Sequence, residues 1–159
     1  VTTSNKKLKK AGISIRTEFS FITDDKTLAV ILDTIADESV NISGYSTTRT
    51  KNNKNFVRLV PGTSESESKR DLRVVSNTLQ ALRTRFKMEK IITISNNRIP
   101  DGIPGGFSNL YNQLWCRVEV ISFYLGEDGY IYLHVSNIKK ALDILLKKNV
   151  KPCPSKGNK

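Results

Sequence analysis

The apolar positions of the chain fall into two runs of one design, each reading strand, helix, strand, strand, helix. In the first run Phe19, Phe21 and Thr23 alternate with Glu18, Ser20 and Ile22, the two-residue period of a strand. Asp24 and Asp25 then offer an N-cap and a favourable first-turn charge. Leu28, Ile31, Leu32, Ile35 and Ala36 follow on one face of a helix. The second run repeats that spacing 79 residues later, with Phe107, Leu110, Tyr111, Leu114 and Trp115. Extended segments are predicted next, at 40–48 and 117–125, where Val40-Asn41-Ile42 matches Val118-Glu119-Val120. Turn signals at Asn52-Asn53 and Gly126-Glu127-Asp128-Gly129 lead to third strands at 56–60 and 130–136. A helix closes each run. Leu72, Val75, Leu79, Leu82 and Phe86 recur at three- and four-residue steps, and Ser136 or Asn137 caps a helix bearing Ile138, Ala141, Leu142 and Leu145. The polar stretch 61–68 reads as a mobile loop.

Strand, helix, hairpin, helix and returning strand is the ferredoxin-like plan. The returning strand of the first copy and the opening strand of the second claim the same segment, 88–95. One strand is therefore predicted to serve both copies. The fold class expected is α+β, with two ferredoxin-like βαββαβ repeats packed side by side through antiparallel sheets. The divisions expected are a basic, flexible N-terminal segment over 1–14, a first repeat over 15–89, a second over 90–150, and a basic tail over 151–159.

The stretch Asn96 to Trp115 carries the most chemical information. A strand ends at Ser95, a turn rich in Gly and Pro follows, and the turn opens into an amphipathic helix. Gly105 and Gly106 allow close approach of backbone to backbone or ligand. The first N–H groups of the helix lack intrahelical partners and suit a small anion such as a carboxylate.

Charge alters the picture only once it is located. The 159-residue chain has a formal net charge of +11. Residues 1–16 hold Lys6, Lys7, Lys9, Lys10 and Arg16 without an acid, and residues 147–159 hold five lysines without an acid. The 16 bases and 15 acids between them nearly cancel. The excess thus sits on both ends, which are expected to be solvated and to touch polyanions weakly. No apolar run long enough to span a membrane occurs, and the polar start is unlike a secretory signal. Cys116 and Cys153 are too few for a disulfide framework or a zinc cluster, so a reducing cytoplasm and no metal or cofactor are expected. Cys116 reads as buried and Cys153 as exposed.

The second run, with its strand 91–95, the turn Ile103-Pro104-Gly105-Gly106-Phe107, the helix to Trp115 and the closing segment Val135 to Leu145, resembles an ACT domain. That is a small regulatory fold that commonly binds amino acids. The first run resembles it more loosely, through its helix and Val40-Asn41-Ile42. The first run departs from the pattern in having Asp24-Asp25-Lys26-Thr27 where the family has a Pro-Gly turn, and two carboxylates there would repel an anion. The resemblance implies a cytoplasmic, non-catalytic regulatory protein with a ligand, an amino acid, between the turn of one repeat and the second strand of the other. Carried over, that site joins Asn97, Pro104, Gly105, Gly106 and Phe107 to Asn41, Ile42 and Ser43.

Enzyme chemistry finds no support. His134, the single histidine, is mid-strand and opposite in phase to Ile131, Leu133 and Val135, as a packed or partly exposed imidazole would be. Two other functions fit the same plan. One is a nucleic-acid-binding ferredoxin-like module, with Tyr130 and Tyr132 on a sheet face and Arg49, Lys51, Lys54 and Arg58 about the first hairpin. The other is a ligand-free assembly protein. Tyr124, Tyr130 and Tyr132 suggest a sheet patch that a homodimer would cover.

Overall fold

A computed structural model describes residues 5–154. The segments are α1 (Asn5–Lys10), β1 (Ile13–Thr23), α2 (Asp25–Asp37), β2 (Ile42–Arg49), β3 (Asn55–Pro61), α3 (Lys69–Ala81), β4 (Phe86–Ile94), α4 (Gly106–Leu114), β5 (Val120–Leu125), β6 (Ile131–Val135) and α5 (Ile138–Leu145). The six strands form one sheet in the order β2-β3-β1-β4-β6-β5, every neighbouring pair antiparallel. β4 lies between β1 and β6, so a single strand does serve both repeats, and the division expected between residues 89 and 90 falls inside it.

The repeat is visible in the register. β2 slips against β3 between Ile42 and Gly44, and β5 slips against β6 between Val120 and Ser122, 78 residues on. Each slip marks a bulge, which bends a strand and tightens its twist. Apolar residues of alternate strand positions meet the helices in two cores. Phe19, Phe21, Val57 and Leu59 pack against Ile31, Ile35, Val75 and Leu79. Ile92, Ile94, Ile131 and Leu133 pack against Leu110, Leu114, Leu142 and Leu145. Asp24 and Asn137 cap α2 and α5 as their positions predict.

Part of the other face of the sheet is closed from water. The bends fold it on itself until β2 leans on β5. Asn41 Nδ2 donates to Glu127 Oε2 at 2.9 Å, and Ser64 Oγ to Asp128 Oδ2 at 2.7 Å. A Cβ on Gly44 would lie 2.6 Å from the Tyr132 ring, and one on Gly126 would lie 2.5 Å from the Ser43 carbonyl oxygen. Only glycine permits that approach. The enclosed face holds Val60, Ile91 and Tyr132, flanked by Tyr124 and Tyr130. Tyr124 and Tyr132 stack at 5.5 Å.

Several expectations are corrected here. Of the tyrosines expected on an exposed patch, Tyr132 is fully buried, and Tyr124 and Tyr130 are half-buried and packed against it. Phe86 belongs to β4 rather than to a helix, because α3 stops at Ala81 and Arg83 takes a left-handed φ of 52°. Arg16, counted with the basic end, is a core residue at 1% exposure. The start of the chain is not wholly solvated either, since Leu8 of α1 packs into the second core. The loop over 61–68 is stapled rather than loose. Glu67 accepts from the Thr17 N–H at 2.8 Å and the Thr17 hydroxyl at 2.7 Å, and it faces Arg16 and Lys90 at 3.5 Å each. Finally, the cysteines exchange places. Cys153 is buried, Cys116 is exposed, and the two are joined by a disulfide.

Candidate functional site

The loop from β4 to α4 is anchored before it opens. Arg98 donates to the Ala11 carbonyl at 3.3 Å and to the Leu145 carbonyl, tying the loop to the start of β1 and the end of α5. Burial lowers the pKa of this guanidinium, which stays charged and satisfied by those carbonyls. Ile99 tucks beneath the loop, so close that a Cβ on Gly106 would sit 2.6 Å from its Cγ2. Gly105 then adopts φ 91°, a left-handed conformation that favours glycine, and leads into α4.

No side chain caps α4, and its first turn carries no acid. Its leading N–H groups therefore have no acceptor from a side chain of the cap or first turn, and the carboxylate that lines the space near them is Asp101. Above Gly105 no atom of the described residues lies within 4 Å of where a Cβ would sit. A hollow of about 460 Å³ opens there, lined by Pro104, Gly105, Gly106 and Phe107 and, from the second hairpin, by Leu125 and Gly129. Phe107 meets Phe123 edge-on at 5.6 Å, which fixes one wall. The corresponding turn of the first repeat is filled. There the Asp24 carboxylate accepts from the Thr27 N–H at 2.8 Å and its hydroxyl at 3.0 Å. Those bonds hold the Asp24 carboxyl below its usual pKa, so α2 begins at its own anion.

The remaining residues expected at the site lie elsewhere. Asn97 lines a separate hollow of about 270 Å³ with Lys9, Gly12, Ser95 and Tyr130. Asn41, Ile42 and Ser43 sit together at the start of β2. Asn41 donates to the Gly62 carbonyl at 2.8 Å as well as to Glu127, and Ser43 Oγ donates to the Val60 carbonyl at 3.3 Å. Between them and the α4 hollow stands the β5–β6 turn, 126–129. Ser43 abuts Gly126 at one end of that turn, and Gly129 abuts Asp101 at the other.

A second group of polar side chains occupies the enclosed sheet face. Glu18, 1% exposed, accepts from Arg58 at 2.7 Å and from the Tyr124 hydroxyl at 2.7 Å. His134 lies 3.4 Å from Glu18 through Nδ1 and 3.7 Å from Glu89 through Nε2. The Arg58 guanidinium lies 3.3 Å from the same Nδ1. Burial opposes the charge on Glu18. The bonds from His134, Tyr124 and Arg58 outweigh it and hold the carboxyl below its ordinary value. Burial and the Glu18 charge together push the Tyr124 phenol far above its usual range, so it remains a donor. Sequence reasoning placed Arg58 on the first hairpin and His134 on a packed strand, but did not join them.

No family model matches the chain, and no curated protein does. Solved structures do. Protein BT0572 from Bacteroides thetaiotaomicron is similar over 87% of this chain and 92% of its own, with a TM-score of 0.66 at 16% identity. The regulatory subunit of aspartate kinase from Thermus thermophilus, in a ligand-free form, is similar over 84% and 94%, with a TM-score of 0.56 at 7% identity. Aspartokinase alpha and beta subunits follow at 85% and 93%, 0.52 and 10%. This chain has the fold of a tandem ACT-like protein. In the tandem ACT-like frame, β1 and β4 are equivalent strands that pair with each other at the centre of the sheet, and the α4 hollow belongs to the second repeat. Among the described residues no helix is long and apolar enough to cross a membrane, and no group of His, Cys, Asp or Glu could hold a metal ion.

Proposed function

We propose that this tandem ACT-like protein is a non-catalytic regulator that takes an amino acid in the hollow at the mouth of α4. The observation that carries the reading is the uncapped helix start beneath an unfilled hollow, beside a first repeat whose equivalent turn is closed by Asp24. The α-carboxylate would meet the N–H groups of Gly106 and Phe107. The apolar side chain would lie against Phe107, Leu125 and Ile131. Asn41, Ile42 and Ser43 support the far wall, since Asn41 and Ser43 hold the 126–129 turn in place. Asn97 flanks the site from the neighbouring hollow. The likeness to a regulatory subunit supports the role. The reading includes no cofactor.

A thermal-shift screen against the twenty amino acids tests it. A ligand at a hundred times its Kd adds about 2.7 kcal/mol, which for a chain of this size raises Tm by roughly 5–10 °C. Ser108→Glu separates binding from folding. Ser108 lines the hollow in the first turn of α4. A carboxylate there stabilises the helix by about 0.3–1 kcal/mol while repelling a ligand carboxylate. The expected result is an unchanged or higher Tm without ligand and no ligand response. An amino-acid response that survives in Ser108→Glu, or twenty flat curves for the native chain, rejects the site.

A homodimer belongs to the same proposal, moved from the tyrosines to α4. Phe107, Tyr111 and Trp115, four residues apart and 49%, 45% and 40% exposed, form a stripe next to the hollow. Such a stripe is the kind of surface a partner covers, and a dimer across it would couple ligand to assembly. Sedimentation should report a dimer for the native chain and a monomer for Tyr111→Lys. A native monomer at all concentrations removes the dimer. The cytoplasmic setting is also part of the proposal. A reducing cytoplasm would hold Cys116 and Cys153 as thiols, so thiol titration of protein trapped at lysis decides between that setting and an oxidising one.

A further inference from the structure

The seam between β2 and β5 is tight at Ser43 and Gly126 and gapes at its other end. There an open groove of about 910 Å³ runs over the sheet. A second groove of about 410 Å³ continues from it between β2 and β5, and the two share Phe56, Arg58 and Ile121. Neither belongs to the hollow at α4, and the inference drawn here does not rest on that hollow.

The charge of this groove is one-sided. Lys54, Arg58, Arg83, Arg85 and Lys87 line it with a single carboxylate, Glu89, and with His134 at its inner wall. Arg58 is committed to Glu18. Lys54, Arg83, Arg85 and Lys87 form no ion pair among the described residues. The body of the chain between its two basic ends is nearly neutral, so Arg83, Arg85 and Lys87 around one concavity, with Lys54 shared with Asp24 and Glu89 the one carboxylate, are a local concentration rather than a general excess. The floor is apolar. Ile22 and Ile121 are 54% and 42% exposed, and the Arg58 guanidinium lies over the Phe56 ring at 4.9 Å. The continuing groove adds the hydroxyl residues Ser46, Thr48 and Ser122.

Cations around an apolar floor with a ring and a guanidinium plane fit a ligand that is flat and apolar in one part and anionic in another. We infer that this groove binds nucleotides. The base lies on Phe56, Ile22 and Ile121, and the phosphate meets Arg83, Arg85 and Lys87. The groove could take them as free mononucleotides or as successive units of a single strand. The shared chemistry is a base joined to a phosphate. Its continuation along the seam gives room for more than one unit.

Fluorescence anisotropy of a labelled octathymidylate, with ATP and dextran sulfate as competitors, tests the inference on the full chain. Arg85→Gln/Lys87→Gln removes two exposed cations that hold no ion pair within the described residues. Affinity for the oligonucleotide should fall at least tenfold. The slope of log K against log salt should flatten by about 1.4, at roughly 0.7 per cation. Competition by ATP at low concentration identifies the free nucleotide as the source, and competition only by unlabelled oligonucleotide identifies the strand. Dextran sulfate should compete poorly for its charge, because it has no base to place on the floor. Equal competition by dextran sulfate overturns the inference. So does binding untouched in the double variant but lost when Lys6, Lys7, Lys9, Lys10, Lys156 and Lys159 are replaced by glutamine, which keeps Leu8 in its core and assigns the binding to the basic ends. No binding of either nucleotide probe at low salt overturns it as well.

Discussion

Replacing Glu18 with alanine is expected to lower the unfolding free energy by about 3 kcal/mol at pH 7, the low end of the range for breaking a buried ion pair. Glu18 accepts from Arg58 and the Tyr124 hydroxyl and faces His134, all on the enclosed sheet face. Its removal leaves a buried phenol and a guanidinium without their acceptor. The cost stays near the low end because Arg58 also lines the wide groove and can turn toward water. Glu18→Gln keeps an acceptor for Tyr124 but loses the charge, so it should cost less than alanine. The pH dependence follows from the direction of the shift. The folded carboxyl titrates below its ordinary value of 4.5, so its contribution is complete above that value and is lost as pH falls through the lower folded value. Urea unfolding at pH 7 and pH 3 should therefore show the native chain losing stability that Glu18→Gln does not have to lose. Identical pH dependence in the two proteins would mean that the carboxylate is not charged in the fold.

Reducing the Cys116–Cys153 bond is the second large effect expected. The two residues are 37 apart in sequence, and closing a loop of that length in the unfolded chain is worth about 3–4 kcal/mol. Native contacts would keep part of the arrangement without it. Arg117 donates to the Lys151 carbonyl at 2.8 Å, and the Cys153 N–H donates to the Asn112 carbonyl. The folded state thus changes little, and the loss comes from the unfolded side. Denaturant midpoints with and without a phosphine reductant should differ for the native chain and coincide for Cys153→Ser. A native protein whose midpoint ignores the reductant refutes the bond.

The helices α2, α4 and α5 were legible because their signals are local, whereas α1 lay in a segment read as a flexible end and α3 was read too far. Asp24 and Asn137 cap where they stand, and the 3.6-residue period of α2 and α4 needs no tertiary knowledge. The double use of β4 was legible from a shortage of segments. The enclosed face was not. Arg16, Glu18, Arg58 and His134 occupy the polar phase of their strands, and strand alternation reads such a face as solvated. Whether it meets water depends on the bends at Ile42–Gly44 and Val120–Ser122, which no alternation pattern announces. The one hint was aromatic: Tyr124 and Tyr132 sit in that polar phase and were read as a patch for another chain, when their own chain covers them. The glycine-lined turn was legible in part. Pro104 to Phe107 line one hollow, whereas the relation of Asn41–Ser43 to it runs through Glu127 and Gly129, which are ordinary turn residues in sequence. The cysteine pair left no trace, because a separation of 37 residues carries no spacing signal.

An exposed terminal strand ordinarily presents a ladder of idle amides, a template onto which a foreign strand can add. Here the two terminal strands of the sheet are pressed toward each other at Ser43 and Gly126, so each denies the other's backbone to outsiders along that stretch. Addition of a foreign strand is thereby discouraged at the contact, where Glu127 and Asp128 also bond across the seam. Strand addition is then confined to the stretch where the seam gapes, between residues 46–49 and 121–124.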